Sequence, residues 1–221
     1  RYTQEQFYGV VHNSVDVIAK IIERDENLNS PNNKRAAKLR AKTVMFDEMT
    51  PSIIMAGFPM LDWIDIAMSP VCLPGEVDQN ANIMYVDAAE RMGLAADVCP
   101  LPSAEVGCAI VDDYPQVGSS FITSSMPCDG SLGAALFMDR YMKKLPSFTL
   151  TPPQRFNEPE TNAYAVKDLK NCIRFIEETY HVKWDWDAFW EKAEEYNKTT
   201  QCMLDKWDVN CTPYPQVIGS A

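Results

Sequence analysis

Apolar runs of strand length alternate with helical patterns from residue 43 to residue 153 of this chain. The runs are rich in β-branched and aromatic residues, and the stretches between them repeat apolar residues every three or four positions. Strands joined by helical crossovers lie parallel, because each crossover returns the chain to the same edge of the sheet. We therefore predict an α/β fold with a flavodoxin-like parallel sheet and flanking helices. The predicted strands are residues 43–46, 63–68, 119–125 and 147–150.

Amphipathic helices are predicted on both sides of the sheet region. Residues 4–25 carry apolar side chains on one helical face, and two further long helices of this kind are residues 162–180 and 185–207. We interpret the four tryptophans of residues 184–207 as packing anchors. The chain lacks an initiator methionine, which predicts that it begins inside a longer gene product. The predicted organisation is a helical segment at 1–42, a flavodoxin-like domain at 43–160 and a helical pair at 161–221.

Charge and hydropathy argue against two classes of partner. The chain has 31 acidic and 20 basic residues, a net charge of -11, so its surface repels phosphate backbones. The densest basic stretch, residues 34–42, is interpreted as a solvated helix face. The longest apolar stretch, residues 52–73, is interrupted by Asp62, Asp65 and prolines, and no secretory signal is visible. We predict no nucleic-acid partner, no membrane span and a cytoplasmic location.

Two of the seven cysteines stand where a ligand site is expected. An odd, irregularly spaced set without a secretory signal indicates reduced thiols rather than a disulfide framework. Cys128 follows a predicted strand and precedes a helix, at the edge of the sheet where parallel α/β folds bind ligands. The free amides of that helix favour a thiolate. Cys99 lies in a turn between two predicted helices and can project into the same cleft.

Position alone leaves a structural role open for both cysteines, because free cysteines often pack as small apolar residues. Their separation of 29 positions is not a metal-binding signature. Cys108, Cys172 and Cys202 fall within helical patterns and are predicted to fill the core. The chain has only two histidines, both predicted on helix surfaces or ends, which argues against a histidine triad or a histidine-rich zinc site. Any catalysis must then come from cysteine, carboxylate or a bound cofactor.

Three stretches together carry a family resemblance. Residues 87–99 form a helix, a glycine and an Asp-x-Cys turn, and residues 120–128 form a strand that ends in Pro-Cys. Residues 175–187 and the helix that contains Asn197 complete the set. In order and spacing they resemble the catalytic subunits of 2-hydroxyacyl-CoA dehydratases, a family shared with ATP-dependent benzoyl-CoA reductases.

The resemblance implies an iron–sulfur site. Family subunits hold a 4Fe-4S cluster through three cysteines, of which two match Cys99 and Cys128. The third comes from a second flavodoxin-like domain, which would begin near the end of this chain, close to Pro215. The implied partners are a second subunit that completes a heterodimer, an ATP-dependent iron–sulfur activator and an acyl-CoA substrate.

The resemblance also implies a reaction. A 2-hydroxyacyl thioester has no acidic proton at C3, and family members inject one electron to make a ketyl radical that expels the hydroxyl group. Glu76 is matched, with a gap, to a glutamate that faces the substrate, although a solvated acid at a helix N-terminus explains it as well. At two places the chain differs from its relatives in a way that affects which substrate is expected. Asp47 and Glu48 stand where relatives often carry serines, and Ser52 and Ile53 stand where relatives carry a glutamate.

Three functions fit these features. The first is the iron–sulfur subunit of a 2-hydroxyacyl-CoA dehydratase. An aryl-CoA reductase subunit would use the same ligands but keep the electrons in its product. A non-catalytic structural or electron-relay subunit is the alternative from another class.

Overall fold

The computed structural model describes residues 34–47, 50–65, 80–114, 117–126, 128–141, 145–153 and 158–211, together with residues 12, 15, 16 and 19. Within these ranges four strands form one parallel sheet, as predicted. The helix predicted at residues 4–25 is described only at the four single positions, which are helical and exposed. The strands are β1 (Thr43–Phe46), β2 (Asp62–Asp65), β3 (Ser120–Ser124) and β4 (Ser147–Leu150).

The strand order β2-β1-β3-β4 makes β1 and β3 the central strands. Val44 of β1 pairs with Trp63 of β2 on one side and with Ser120 of β3 on the other. The chain therefore winds in opposite directions from β1, and such a reversal opens a ligand crevice at the carboxyl ends of the two strands. This order confirms the flavodoxin-like α/β fold. The domain boundaries at residues 42 and 160 remain predictions.

Helices cover both faces of the sheet. They are α1 (Lys34–Arg40), a 3-10 helix (Ser52–Gly57), α2 (Ile83–Arg91), α3 (Pro100–Ile110), α4 (Asp129–Tyr141), α5 (Pro159–Tyr180) and α6 (Trp186–Asn210). Side chains alternate along each strand, so Met45 and Phe121 pack under α2, α3 and α4, while Phe46 and Ile122 pack under the 3-10 helix and α5. Both faces of a parallel sheet need such cover, because its strands are apolar on both sides. Among the described residues, no helix combines the length and apolarity needed to cross a membrane.

Tyr180 fastens the end of α5 to the amino-terminal edge of the sheet. Its hydroxyl donates to the carbonyl of Thr43 at 2.7 Å and lies 2.8 Å from Oγ of Ser120. Burial raises its pKa, so the phenol keeps the proton that this bond requires. His181 then ends the helix in the left-handed conformation, with φ of 54°.

The loop after α5 packs against the 3-10 helix because Gly57 has no side chain. Asp185 donates its backbone N–H to the carbonyl of Gly57 at 2.9 Å, and a Cβ built on Gly57 would lie 2.6 Å from the ring of Trp184. Trp184 also meets Phe58 edge to face at 5.3 Å. Asp185 then caps α6 by accepting the N–H groups of Asp187 and Ala188. The absence of a side chain at Gly57 thus allows the contacts of Trp184 and Asp185 that position the start of α6.

Replacing Gly57 by alanine should push Trp184 off the 3-10 helix. We expect Gly57→Ala to lower the free energy of unfolding by about 1–3 kcal/mol, as overpacked sites do. Denaturant unfolding followed by circular dichroism measures this. Gly133→Ala on α4 is the matched control, because a Cβ there meets nothing within 4 Å and should be neutral or stabilising. Equal midpoints for wild type and Gly57→Ala would contradict the described contact.

Candidate functional site

Cys128 lies four positions beyond the carboxyl end of β3 and caps α4. Its carbonyl accepts the N–H groups of Ser131 at 3.1 Å and Leu132 at 3.3 Å, and its thiol is exposed. The backbone amide and hydroxyl of Ser131, followed by the amide of Gly130, hold the pKa of Cys128 below its ordinary value. The Sγ to Ser131 Oγ distance is 3.8 Å. The first turn of α4 therefore stabilises a thiolate at the edge of the sheet.

Cys99 occupies the equivalent place before α3. It is the N-cap residue of that helix, and its thiol is exposed. Ser103 donates its hydroxyl to the carbonyl of Cys99 at 2.9 Å, and Pro100 starts the helix with a backbone angle suited to its first position. The loop is therefore fixed by its own helix, and the side chain remains free to face outward.

Gly130 brings the two cysteine loops together. A Cβ built on this residue would lie 3.6 Å from Sγ of Cys128, 3.6 Å from Cγ1 of Val98 and 3.9 Å from Cγ of Pro102. Val98 and Pro102 flank Cys99 on both sides along the chain. The first turn of α4 thus packs against the turn that presents Cys99, and the N-termini of α3 and α4 lie side by side at a place that we call the cleft. The amides of α4 favour bound negative charge there, whereas α3 contributes less, because Pro100 and Pro102 carry no N–H.

Three further cysteines were predicted to fill the core, and the structure places two of them there and one on the surface. Burial raises the pKa of Cys108 and that of Cys172 to about 12, so both are inert core residues, as predicted. The prediction for Cys202 was wrong, because its thiol is exposed on α6. That helix has no buried residue, so its periodicity did not indicate a core position.

The two exposed cysteines at the cleft are of the kind that binds iron–sulfur clusters, but two ligands are too few to hold one. Within the described ranges, no group of three or more His, Cys, Asp or Glu side chains is placed to hold a metal ion. Two exposed cysteines at one cleft offer the soft thiolate ligands that iron–sulfur clusters use. Further ligands would have to come from outside these ranges. Glu76, the predicted substrate-facing carboxylate, lies outside the described residues.

Buried polar groups lie at and beneath the same edge of the sheet. Asp47 directly follows β1 and is nearly buried, and its N–H donates to the carbonyl of Ile122 at 3.0 Å. The hydroxyl of Tyr114 donates to Glu105 of α3 at 3.3 Å. Burial, with the negative charges of Glu105 and Asp47, raises the pKa of Tyr114 well above its ordinary value. Tyr114 therefore keeps its proton and remains a hydrogen-bond donor to Glu105.

Sequence reasoning missed Gly130 and Ser131. The spacing of Cys128 and Ser131 matches that of an N-cap residue and the third residue of a helix, so a capping pattern could have indicated Ser131. Gly130 gave no such signal, because its contact with Val98 joins segments far apart in sequence. Only the packing of α3 against α4 reveals it.

A family model described as 2-hydroxyglutaryl-CoA dehydratase, D-component, matches residues 74–220. This range covers more than half of the 221 residues and contains Cys99, Cys128, α3, α4 and the helical pair. No curated protein matches the chain.

The thiolate character of Cys128 can be tested on reduced, cluster-free protein. We expect alkylation of Cys128 to reach half its maximal rate at a lower pH than that of an ordinary thiol, because hydrogen bonds stabilise the thiolate. Ser131→Ala removes one of those donors and should move this pH upward. Peptide mass spectrometry resolves each cysteine.

Thr200→Ala, which removes an exposed hydroxyl from α6, is the matched control and should leave the alkylation profile of Cys128 unchanged. Rapid alkylation of buried Cys108 or Cys172, or a Cys128 profile insensitive to Ser131→Ala, would contradict the described environments.

Proposed function

The chain belongs to the 2-hydroxyglutaryl-CoA dehydratase D-component family, and on that premise we propose that it is the iron–sulfur subunit of a 2-hydroxyacyl-CoA dehydratase. The reaction removes water from a 2-hydroxyacyl-CoA. It passes through a ketyl radical of the substrate after one-electron reduction by an ATP-dependent activator. The observation that carries the proposal is the meeting of the Cys99 and Cys128 loops at Gly130.

Cys99 and Cys128 would act as thiolate ligands of a 4Fe-4S cluster. Their loops precede α3 and α4, so the amide dipoles of two helices favour the negative charge of thiolates and cluster. Ser131 lowers the proton affinity of Cys128, which lowers the cost of deprotonation when iron binds. When bound, such a cluster supplies one-electron transfer and, through an iron with an open position, a Lewis acid.

The surrounding residues would order the cleft. Gly130 packs between Cys128 and Val98, so the two cysteine loops lie beside each other. Tyr114, held by Glu105, would keep the buried wall beneath the cleft fixed. Glu76 would face the substrate.

Two thiolates do not complete the proposed ligand set. We propose that a third cysteine comes from a second flavodoxin-like domain and that a second subunit completes a heterodimer. The ATP-dependent iron–sulfur activator would deliver the electron. Reduced thiols and an oxygen-sensitive cluster both favour the cytoplasm as the location.

The family match favours dehydration over aryl-CoA reduction, because the matching family is named for a dehydratase component. A purely structural subunit is the weaker alternative, because a structural role gives no reason for an exposed cysteine with a lowered pKa at a helix N-terminus. A substrate assay with activator, ATP and a strong reductant separates these functions. Loss of water from a 2-hydroxyacyl-CoA supports the proposal, and dearomatisation of an aryl-CoA supports the reductase.

Cluster content tests the ligands directly. Anaerobically purified full-length protein should contain iron and acid-labile sulfide and, when reduced, show an iron–sulfur EPR signal. We expect Cys99→Ala and Cys128→Ala each to lower iron content about tenfold or more, because a lost ligand costs at least as much as a lost outer-shell partner.

Cys202→Ala is the control, since this cysteine is also exposed but lies on α6. It should retain full iron content. The ligand assignment fails if the wild type holds no cluster or if both ligand variants keep theirs.

A further inference from the structure

The sulfur of Cys128 has hydrogen-bond donors in the first turn of α4. The hydroxyl oxygen of Ser131 lies 3.8 Å from Sγ, within reach of a bond to sulfur. The backbone N–H groups of Ser131 and Gly130 also donate to this sulfur, although that of Ser131 is shared with the carbonyl of Cys128 at 3.1 Å. Because the donors belong to one turn of helix, its backbone holds them in place beside the thiol.

Cys99, the other proposed ligand, precedes a first turn with fewer donors. Pro100 and Pro102 carry no N–H group, which removes two of the four amides that usually open a helix. Ser103 donates its hydroxyl at 2.9 Å and its amide at 3.3 Å, and both go to the carbonyl of Cys99 rather than to its sulfur. Among the first four residues of α3, this leaves only the amide of Leu101.

One charged group opposes the donors at Cys128. Asp129 occupies the first position of α4, and its negative charge acts on the same sulfur. The hydrogen bonds from Ser131 and Gly130 have a larger effect on the sulfur than this carboxylate does. Asp129 is exposed, so solvent and salt screen its charge. The surroundings of the Cys128 sulfur therefore stabilise negative charge on balance.

This difference between the two cysteines matters when an electron is added. One-electron reduction gives an iron–sulfur cluster one more negative charge, and the ligand sulfurs carry part of it. A donor held at a ligand sulfur stabilises the reduced form more than the oxidised form, which raises the reduction potential. The first turn of α4 supplies such donors to Cys128, and the first turn of α3 supplies fewer to Cys99.

We propose that Ser131 is a positioning residue that tunes the cluster, because its hydroxyl donates to the Cys128 sulfur and makes reduction easier. The proposal rests on the proposed function for the cluster itself. The added negative charge is stabilised more on the Cys128 side of the cluster than on the Cys99 side. Ser131 thereby favours the transfer of one electron from the ATP-dependent activator.

Cluster-free protein tests the hydrogen bond itself. Ser131→Val and Ser131→Thr introduce side chains of nearly the same shape, but only threonine keeps the hydroxyl. The alkylation rate is measured at a pH at which the exposed thiols are fully ionised, so that the rate reports nucleophilicity. We expect Cys128 to react about twofold faster in Ser131→Val than in wild type, because a thiolate that loses a hydrogen bond is a stronger nucleophile. Ser131→Thr should react like wild type, and Cys202, exposed on α6, is the internal reference.

The loaded full-length protein tests the effect on the cluster. Anaerobic redox titration followed by EPR gives the ratio of reduced to oxidised cluster at each applied potential. At the midpoint potential of wild type, we expect this ratio to fall about threefold or more in Ser131→Val, because the reduced form loses a hydrogen bond. Ser131→Thr should keep the ratio near that of wild type. Iron content should be equal in all three proteins.

Thr200→Ala is the control for the loss of a hydroxyl, because this threonine lies on α6. It should change neither the alkylation rate of Cys128 nor the reduced fraction of the cluster. A purely structural role for Ser131 would lower the unfolding midpoint of Ser131→Val and leave both readouts where they are in wild type.

Two outcomes overturn the proposal. Equal alkylation rates of Cys128 in Ser131→Val and Ser131→Thr mean that the hydroxyl does not act on the sulfur. A reduced fraction that stays the same or rises in loaded Ser131→Val means that Ser131 does not make reduction easier. A wild type without a cluster is a different result, since it refutes the proposed function and with it the effect on reduction. The alkylation rates still decide the hydrogen bond in that case.

Discussion

The arrangement of the candidate site depends on one close approach, in which the first turn of α4 meets the turn before α3 at Gly130. A Cβ built on Gly130 would lie in ordinary van der Waals contact with Sγ of Cys128 and Cγ1 of Val98, each 3.6 Å away, so the two turns are neighbours in space. Both helices begin at this contact, so their N-termini lie side by side. The parallel sheet makes the contact possible, since Cys128 follows the end of central strand β3 and α3 leads back to its beginning.

Electrostatic interactions determine which groups this site stabilises. An acidic chain of net charge -11 disfavours anionic groups over most of its surface, yet this cleft stabilises a thiolate at Cys128. Short-range hydrogen bonds from Ser131 and Gly130 outweigh the long-range repulsion, because solvent and salt screen distant charges more strongly. A site that stabilises a thiolate can therefore exist on a strongly acidic protein.

Much of the fold follows from sequence pattern, and the reasons are local. The β-branched and aromatic run of β3 and the proline-terminated β4 specify strands by composition, and the helices between them specify a parallel sheet. Cys128 was predictable as a site residue because it follows closely on a predicted strand and precedes a helix; β3 ends at Ser124, four positions before it. The closeness of the Cys99 loop to Cys128 was harder to predict, because the approach of Val98 to Gly130 depends on how two helices pack. The four tryptophans of residues 184–207 were predicted to be packing anchors. Trp184 packs in this way over Gly57, whereas Trp186, Trp190 and Trp207 are more than half exposed. Helical periodicity locates an apolar face but does not say which molecule covers it.

The central claim is that Cys99 and Cys128 hold the same iron–sulfur cluster. Crystals of the full-length protein grown without oxygen, with diffraction recorded at the iron absorption edge, test it most directly. The account predicts anomalous iron density within bonding distance of Sγ of both cysteines, in the cleft beside Gly130. Iron bound elsewhere, with both thiols uncoordinated, would contradict it.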